Sequence, residues 1–158
     1  MSQQIGIASD HGGKVLKDKI TRFLKEQNLQ VDDLGVPLDS SASVDYPDYA
    51  SQLSKLVSEG KLKRGILVCG SGVGMSIAAN KFPGVRAALV TDEFTAKMCR
   101  LHNDANILCL GERVINHDRA LDFVKLWLTT EFEGGRHQNR LDQITVIEKV
   151  LAQGTAQK

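Results

Sequence analysis

Gly65-Ile66-Leu67-Val68-Cys69-Gly70-Ser71-Gly72-Val73-Gly74-Met75-Ser76-Ile77-Ala78-Ala79-Asn80 is the stretch whose reading decides the fold. Its first four residues are a short apolar run of the kind that makes a buried parallel strand. Met75 to Ala79 begin a helix, and between the two elements glycine occupies positions 70, 72 and 74. Without a Cβ, these residues let the chain turn sharply and bring backbone N–H groups close to a ligand. A glycine-rich turn ending at a helix N-terminus is an anion site, because unpaired N–H groups and the helix dipole point the same way. Cys69, at the strand end, faces that site.

Counting removes three familiar loops. A dinucleotide fingerprint started at Gly70 needs glycine at 75, where the chain has Met75. A nucleotidase phosphate loop ends in Gly-Lys-Ser/Thr, a triplet that does not occur. A cysteine-phosphatase loop needs arginine six residues after the cysteine, which again is Met75. What remains is a thiol beside a small anion-stabilising turn, or a structural cysteine before an ordinary strand-to-helix turn. The stretch alone leaves both open.

Outward from it, 158 residues predict one domain with one good core. A charge of +1 with both signs interspersed argues against nucleic-acid or membrane surfaces as partners. No apolar run approaches the roughly 18 residues of a membrane span. Met1 to Ile5 shows no secretory pattern. Cys69, Cys99 and Cys109 are odd in number and form no C-x-x-C pair, so neither a disulfide framework nor a zinc site is expected. A reducing cytoplasm is the expected location.

In chain order, Ile5 to Ser9 reads as a first strand, ending in Asp10-His11-Gly12-Gly13. Val15, Leu16, Ile20, Phe23 and Leu24 then fall on one helical face. Asp10 and His11 therefore lie where a strand hands over to a helix, the usual place for ligand groups in an open α/β sheet. Alternatively, Asp10 merely caps the helix. Val31 to Leu34 is a second strand, followed by a Gly/Pro/Ser-rich loop and by Asp45-Tyr46-Pro47, which opens a helix. After the central stretch, Val85 to Val90 is a fourth strand, and Thr91-Asp92-Glu93 starts a helix that runs into the polar Leu101 to Asn106. Ile107 to Leu110 is the fifth strand, closed by Gly111-Glu112-Arg113, and Asp118 is expected to cap the next helix. Glu133-Gly134-Gly135 breaks the chain before Arg136-His137-Gln138-Asn139-Arg140 and a last helix. Arg136 and Arg140 share a face if that helix starts early, and with His137 they either clamp a phosphate or form a solvated basic turn.

Five strand–helix alternations predict a parallel α/β sheet covered on both faces. The domain is expected over residues 1–151, with 152–158 a flexible tail.

Taken together, Ser9-Asp10-His11-Gly12, Asp45-Tyr46-Pro47, Cys69-Gly70-Ser71-Gly72-Val73-Gly74-Met75-Ser76, Asn80-Lys81, His102-Asn103-Asp104 and Gly134-Gly135-Arg136-His137 resemble the type B ribose-5-phosphate isomerase family. That family also holds galactose-6-phosphate and allose-6-phosphate isomerases. Each block is modest alone, but the ordered set, from about residue 4 to about residue 150, is specific. The resemblance implies a single-domain Rossmann-like α/β/α sandwich with a five-stranded parallel sheet that binds no dinucleotide. It implies homodimers or dimers of dimers with active sites shared between subunits.

It also implies roles. Cys69 is the expected catalytic base; some relatives lack this cysteine and carry glutamate where this chain has Met75. Ser71 stands where relatives have Thr or Ser assisting proton movement between substrate oxygens. The backbone of Gly70, Gly72, Val73 and Gly74 resembles the hole that holds the enediolate. His102 matches the group that opens the sugar ring and Asp10 its partner. Asn103 and Tyr46 match substrate contacts, and His11, Arg113, Arg136 and Arg140 phosphate-side positions. The implied reaction interconverts ribose-5-phosphate and ribulose-5-phosphate in the non-oxidative branch of the pentose phosphate pathway.

Elementary chemistry agrees. Moving a carbonyl between neighbouring carbons needs a base that takes and returns a proton, and donors for the oxyanion that develops. A free thiol titrates near 8.5, and a helix N-terminus lowers that value. The reaction requires no metal or other cofactor, and the sequence shows no metal-ligand cluster. A non-catalytic anion- or nucleotide-binding module on the same sheet would explain the glycines and arginines, but would leave Cys69 and His102 without purpose.

Overall fold

A computed structural model describes residues 4–155 of the chain. The elements are β1 (Gln4–Ser9), α1 (Lys14–Glu26), β2 (Gln30–Asp33), α2 (Tyr46–Ser58), β3 (Arg64–Cys69), α3 (Val73–Ala79), β4 (Ala87–Leu89), α4 (Glu93–Leu101), β5 (Ile107–Gly111), α5 (His117–Thr129) and α6 (Arg136–Thr155). All five strands are parallel, in the order β2-β1-β3-β5-β4. The expected α/β/α sandwich on a five-stranded parallel sheet is what the chain builds.

The three inner strands are apolar on both faces, and their alternation sorts two cores. Ile5, Ile7, Ile66, Val68, Leu108 and Leu110 face α1, α4 and α5, where Leu16, Ile20, Phe123, Val124 and Trp127 complete the packing. Ala8, Leu67, Cys69, Ile107 and Cys109 face α2 and α3, against Ala50, Leu53, Met75 and Ala79. Each large side chain buried in this way contributes about 1.5–3 kcal/mol. Trp127 also donates its indole N–H to the Ala105 carbonyl at 3.1 Å, so its burial strands no polar group.

The strand order sets the site. From β1 the chain crosses to β2 on one side and returns to β3 on the other, so the carboxyl ends of β1 and β3 flank a crevice. Open α/β sheets bind ligands at such a reversal. Ser9 pairs with Val68 and Cys69 with Gly111, which places Asp10 level with Cys69 and Gly111, and Gly70 level with Glu112.

Several boundaries differ from the sequence expectation, β2 by a shift of one residue to Gln30–Asp33. The strand expected over Val85 to Val90 is three residues long, because Asn80 takes over at the sheet edge: its side chain accepts from Ala87 N–H and donates to Ala87 C=O, both at 2.9 Å. The cap of α5 is Asn116 rather than Asp118; its side-chain oxygen accepts from Asp118 N–H at 2.9 Å. Finally, α6 runs to Thr155, so 152–155 of the expected tail are helical, and 156–158 lie outside the described residues.

Candidate active site

The first group of site residues gathers at the carboxyl ends of β1, β3 and β5. Cys69 is the last residue of β3 and is 5% exposed. Gly72 N–H points at its sulfur, 3.1 Å away, the geometry a thiolate accepts. That contact needs Gly72 in the left-handed region, with φ at 78°, and a Cβ there would lie 2.9 Å from the Leu110 carbonyl carbon. Ser71 is exposed on the same turn, its hydroxyl accepting from Val73 N–H at 3.3 Å. Val73 and Gly74 then open α3.

Around this turn stand the neighbouring strand ends. Arg113 N–H donates to Gly70 C=O at 3.0 Å, and Glu112 N–H to Cys69 C=O at 2.9 Å, which clasps the end of β5 to that of β3. The Arg113 guanidinium thereby lies over Gly70. Gly12 approaches Gly70 N from the other side, and Asp10 accepts from Gly12 N–H at 2.9 Å. Asp10 is therefore no helix cap; the N-cap of α1 is Gly13, and Leu16 N–H is met by the Glu112 carboxylate at 2.8 Å. His11 is exposed, with Nδ1 3.1 Å from the backbone of Val44, and so holds the long loop before α2. Tyr46, the first residue of α2, lays its ring against Gly74 so closely that a Cβ on Gly74 would sit 2.6 Å from Cζ.

The second group lies at the end of α4 and the start of α6. His102 follows α4, and its ring stacks on that of His137, with centroids 4.1 Å apart and planes 13° from parallel. The polar turn carrying His102 and Asn103 is held by Asp104, at φ 45°, which receives Arg100 at 2.6 Å and Arg86 at 3.0 Å. Arg136 and Arg140 are exposed, one turn apart on α6, which does start early enough to align them. Arg140 reaches 3.4 Å from His137 Nδ1. Among the described residues, no hydrogen bond, ion pair or ring contact links this group to the first.

The model of the family described as Ribose/Galactose Isomerase matches residues 5–144 of this chain. The chain belongs to that family. It is an isomerase. The Escherichia coli ribose-5-phosphate isomerase B is 45% identical over 147 residues, spanning 93% of this chain and 97% of that protein. The Clostridium thermocellum ribose-5-phosphate isomerase B has the same fold at a TM-score of 0.91 and 52% identity, covering 94% of this chain and 99% of that one. The Mycoplasma genitalium ribose-5-phosphate isomerase B, solved with bound ribulose-5-phosphate, gives a TM-score of 0.89 at 45% identity, with coverage of 94% and 98%.

Within this isomerase the fold also assembles residues that spacing could not join. Glu133 lies beside both imidazoles, so that His102, Glu133 and His137 bring three donor atoms within 4.8 Å of one another. Such a trio could hold a cation, but the positive charges of Arg136 and Arg140 act on the same place. Glu112, which ties the start of α1 to the end of β5, was equally invisible in the sequence: its partner is 96 positions away.

Proposed function

We propose that this isomerase interconverts ribose-5-phosphate and ribulose-5-phosphate through an enediolate, with Cys69 as the base. The observation that carries the reading is the Cys69 sulfur at the end of β3, in the mouth of a turn whose Gly72 N–H points at it. Met75, where some relatives carry glutamate, is fully buried among apolar residues, which leaves the thiol to do the proton transfer.

The steps follow. His102, with Asp10, moves the anomeric hydroxyl proton to the ring oxygen, and the C1–O bond to that oxygen breaks to give an open aldehyde. The Cys69 thiolate takes the C2 proton, and the electron pair moves onto the aldehyde oxygen to give the enediolate. Backbone N–H groups of Gly70 to Gly74 receive that charge. Ser71 relays the hydroxyl proton from O2 to O1, and Cys69 returns its proton to C1, leaving the ketose. Tyr46 and Asn103 contact the sugar, while His11, Arg113, Arg136 and Arg140 receive the phosphate. No step needs a cofactor.

The two groups of residues belong to one site if two chains share it, so we read the protein as a homodimer or dimer of dimers. In support, α6 presents apolar residues to the outside: Ile144, Ile147 and Val150 are 43–60% exposed. Beside it an apolar groove of about 470 Å³ runs along β4. No helix of the described residues is long and apolar enough to cross a membrane. Three free cysteines accord with a reducing cytoplasm.

The test is an isomerisation assay on ribose-5-phosphate, allose-6-phosphate and galactose-6-phosphate with wild type and Cys69→Ala. Ribose-5-phosphate is expected to turn over fastest, and Cys69→Ala to be inactive on it. Preference for a six-carbon substrate would overturn the substrate assignment. A Cys69→Ala variant keeping more than about a tenth of kcat would overturn the base.

A further inference from the structure

We propose that Glu133 and His137 are positioning residues that fix the ring plane and tautomer of His102, an inference that rests on His102 as the ring-opening group. Three anchors build the arrangement. Glu133 N–H donates to the Leu101 carbonyl at 3.0 Å, pinning Glu133 to the end of α4 next to His102. Gly134 and Gly135, with φ of 70° and 55°, then reverse the chain in a conformation that side-chain-bearing residues rarely adopt. The reversal starts α6 so that His137, in its first turn, drops its ring onto that of His102.

The donors assign the protons. Guanidinium groups only donate, so Arg140, 3.4 Å from His137 Nδ1, meets a lone pair there. A neutral His137 then carries its proton on Nε2, which lies 3.7 Å from Glu133 Oε2. The same carboxylate oxygen is 3.9 Å from His102 Nε2. One carboxylate thus faces the equivalent nitrogen of two stacked rings at ion-pair distance, which favours Nε2–H on His102 and leaves its Nδ1 as the acceptor. Orienting a working imidazole through its other nitrogen is how outer groups fix a tautomer. Burial, with the charges of His102, Arg136 and Arg140, holds the His137 imidazole below its ordinary range against the opposing pull of Glu133, in keeping with a neutral ring.

A phosphate-ligand role accounts for these features less well. His137 is 3% exposed, its Nε2 is buried with no hydrogen-bond partner, and its Nδ1 is met by Arg140. Neither nitrogen is offered to an incoming anion. Arg140, by contrast, touches His137 while remaining exposed, and so connects the phosphate end of the substrate to the ring-opening end.

The experiment separates ring opening from proton transfer. Net conversion of ribose-5-phosphate requires both, whereas wash-out of deuterium from C1 of ribulose-5-phosphate requires proton transfer alone. Glu133→Gln, at a half-exposed position that threatens no core, and His137→Ala should lower net conversion by about tenfold or more, as misplaced catalytic groups do. Wash-out should stay close to the wild-type rate. Histidine-labelled protein should show His137 in the Nε2–H form by long-range proton–nitrogen NMR. Equal losses in both reactions, unchanged conversion, or an Nδ1–H tautomer would each overturn the proposal. His102→Asn, run alongside, tells the two readings apart. If it slows both reactions equally, the ring-opening role fails and takes this proposal with it. If it alone is selective while Glu133→Gln and His137→Ala match wild type, only the positioning role fails.

Discussion

Cys69, Cys99 and Cys109 are all free and all buried, yet they differ in what they face. Burial pushes the Cys99 thiol up to about 11, against the lowering charge of Arg100. Cys109 lies inside β5, where burial and the neighbouring Cys69 push it up further. Both fill the core. Cys69 alone of the three has a backbone N–H of a glycine turn aimed at its sulfur. Cys69→Ala should therefore lower kcat by about 10²–10⁴-fold while equilibrium dialysis still finds the sugar phosphate bound. Cys109→Ala should cost some stability and leave kcat alone, and comparable losses of kcat in both would contradict the assignment. His137 supplies a second check at this scale. Its folded-state value is depressed below the ordinary one, near 6.5, so just below that pH the unfolded chain binds more protons than the folded one. Stability is at its full value above about 6.5 and falls with pH below it. Urea titrations from pH 7 to 5 should show a stability gap between wild type and His137→Asn that narrows on acidification. A constant gap would mean that the ring titrates alike in both states.

Elements were legible where the chain encodes them locally. The runs Ile5 to Ser9, Gly65 to Val68 and Ile107 to Leu110 are apolar because both faces of an inner parallel strand are buried, and all three form strands. The shortness of β4 was not legible, because the edge is finished by the Asn80 side chain rather than by a ladder. Of the site, the Cys69 turn could be read from glycine spacing. The meeting of Glu133 with His102 could not, since they are 31 positions apart and a backbone bond to Leu101 joins them only in the fold. Packing between elements carries its own prediction. A Cβ at Gly13 would lie 2.6 Å from both the carbonyl carbon and oxygen of Val68, where backbone cannot give way. Gly13→Ala should push the first turn of α1 off β3, costing about 1–3 kcal/mol in chemical denaturation. It should also reduce kcat/KM by moving Asp10 and His11 away from Cys69. Wild-type stability and kinetics in this variant would show that α1 has slack there.

At the scale of the whole molecule the question is which chain supplies His102. If sites are shared across a two-fold axis, inactive Cys69→Ala and inactive His102→Asn chains should complement each other. Half of a randomly reassorted mixture is mixed dimers, each with one intact site of two, so activity should return to about a quarter of wild type. No recovery after co-refolding would place both residues in one chain's site. Ile147→Asp, on the exposed face of α6, should shift the protein to a monomer in light scattering, with activity lost in step.

That helix has a further consequence. Its first two turns carry Arg136 and Arg140, and its remaining length carries exposed apolar residues such as Ile147 and Val150. On the proposed reading, self-association and phosphate capture reside in one segment, and turnover per chain would become a function of how many chains there are. Serial dilution should lower specific activity once the concentration passes below the dissociation constant of the assembly. In a cell making both a sound chain and one broken at Cys69, the broken copy would not simply be idle. It would take partners, and each pairing would leave one working site where two sound chains would have made two.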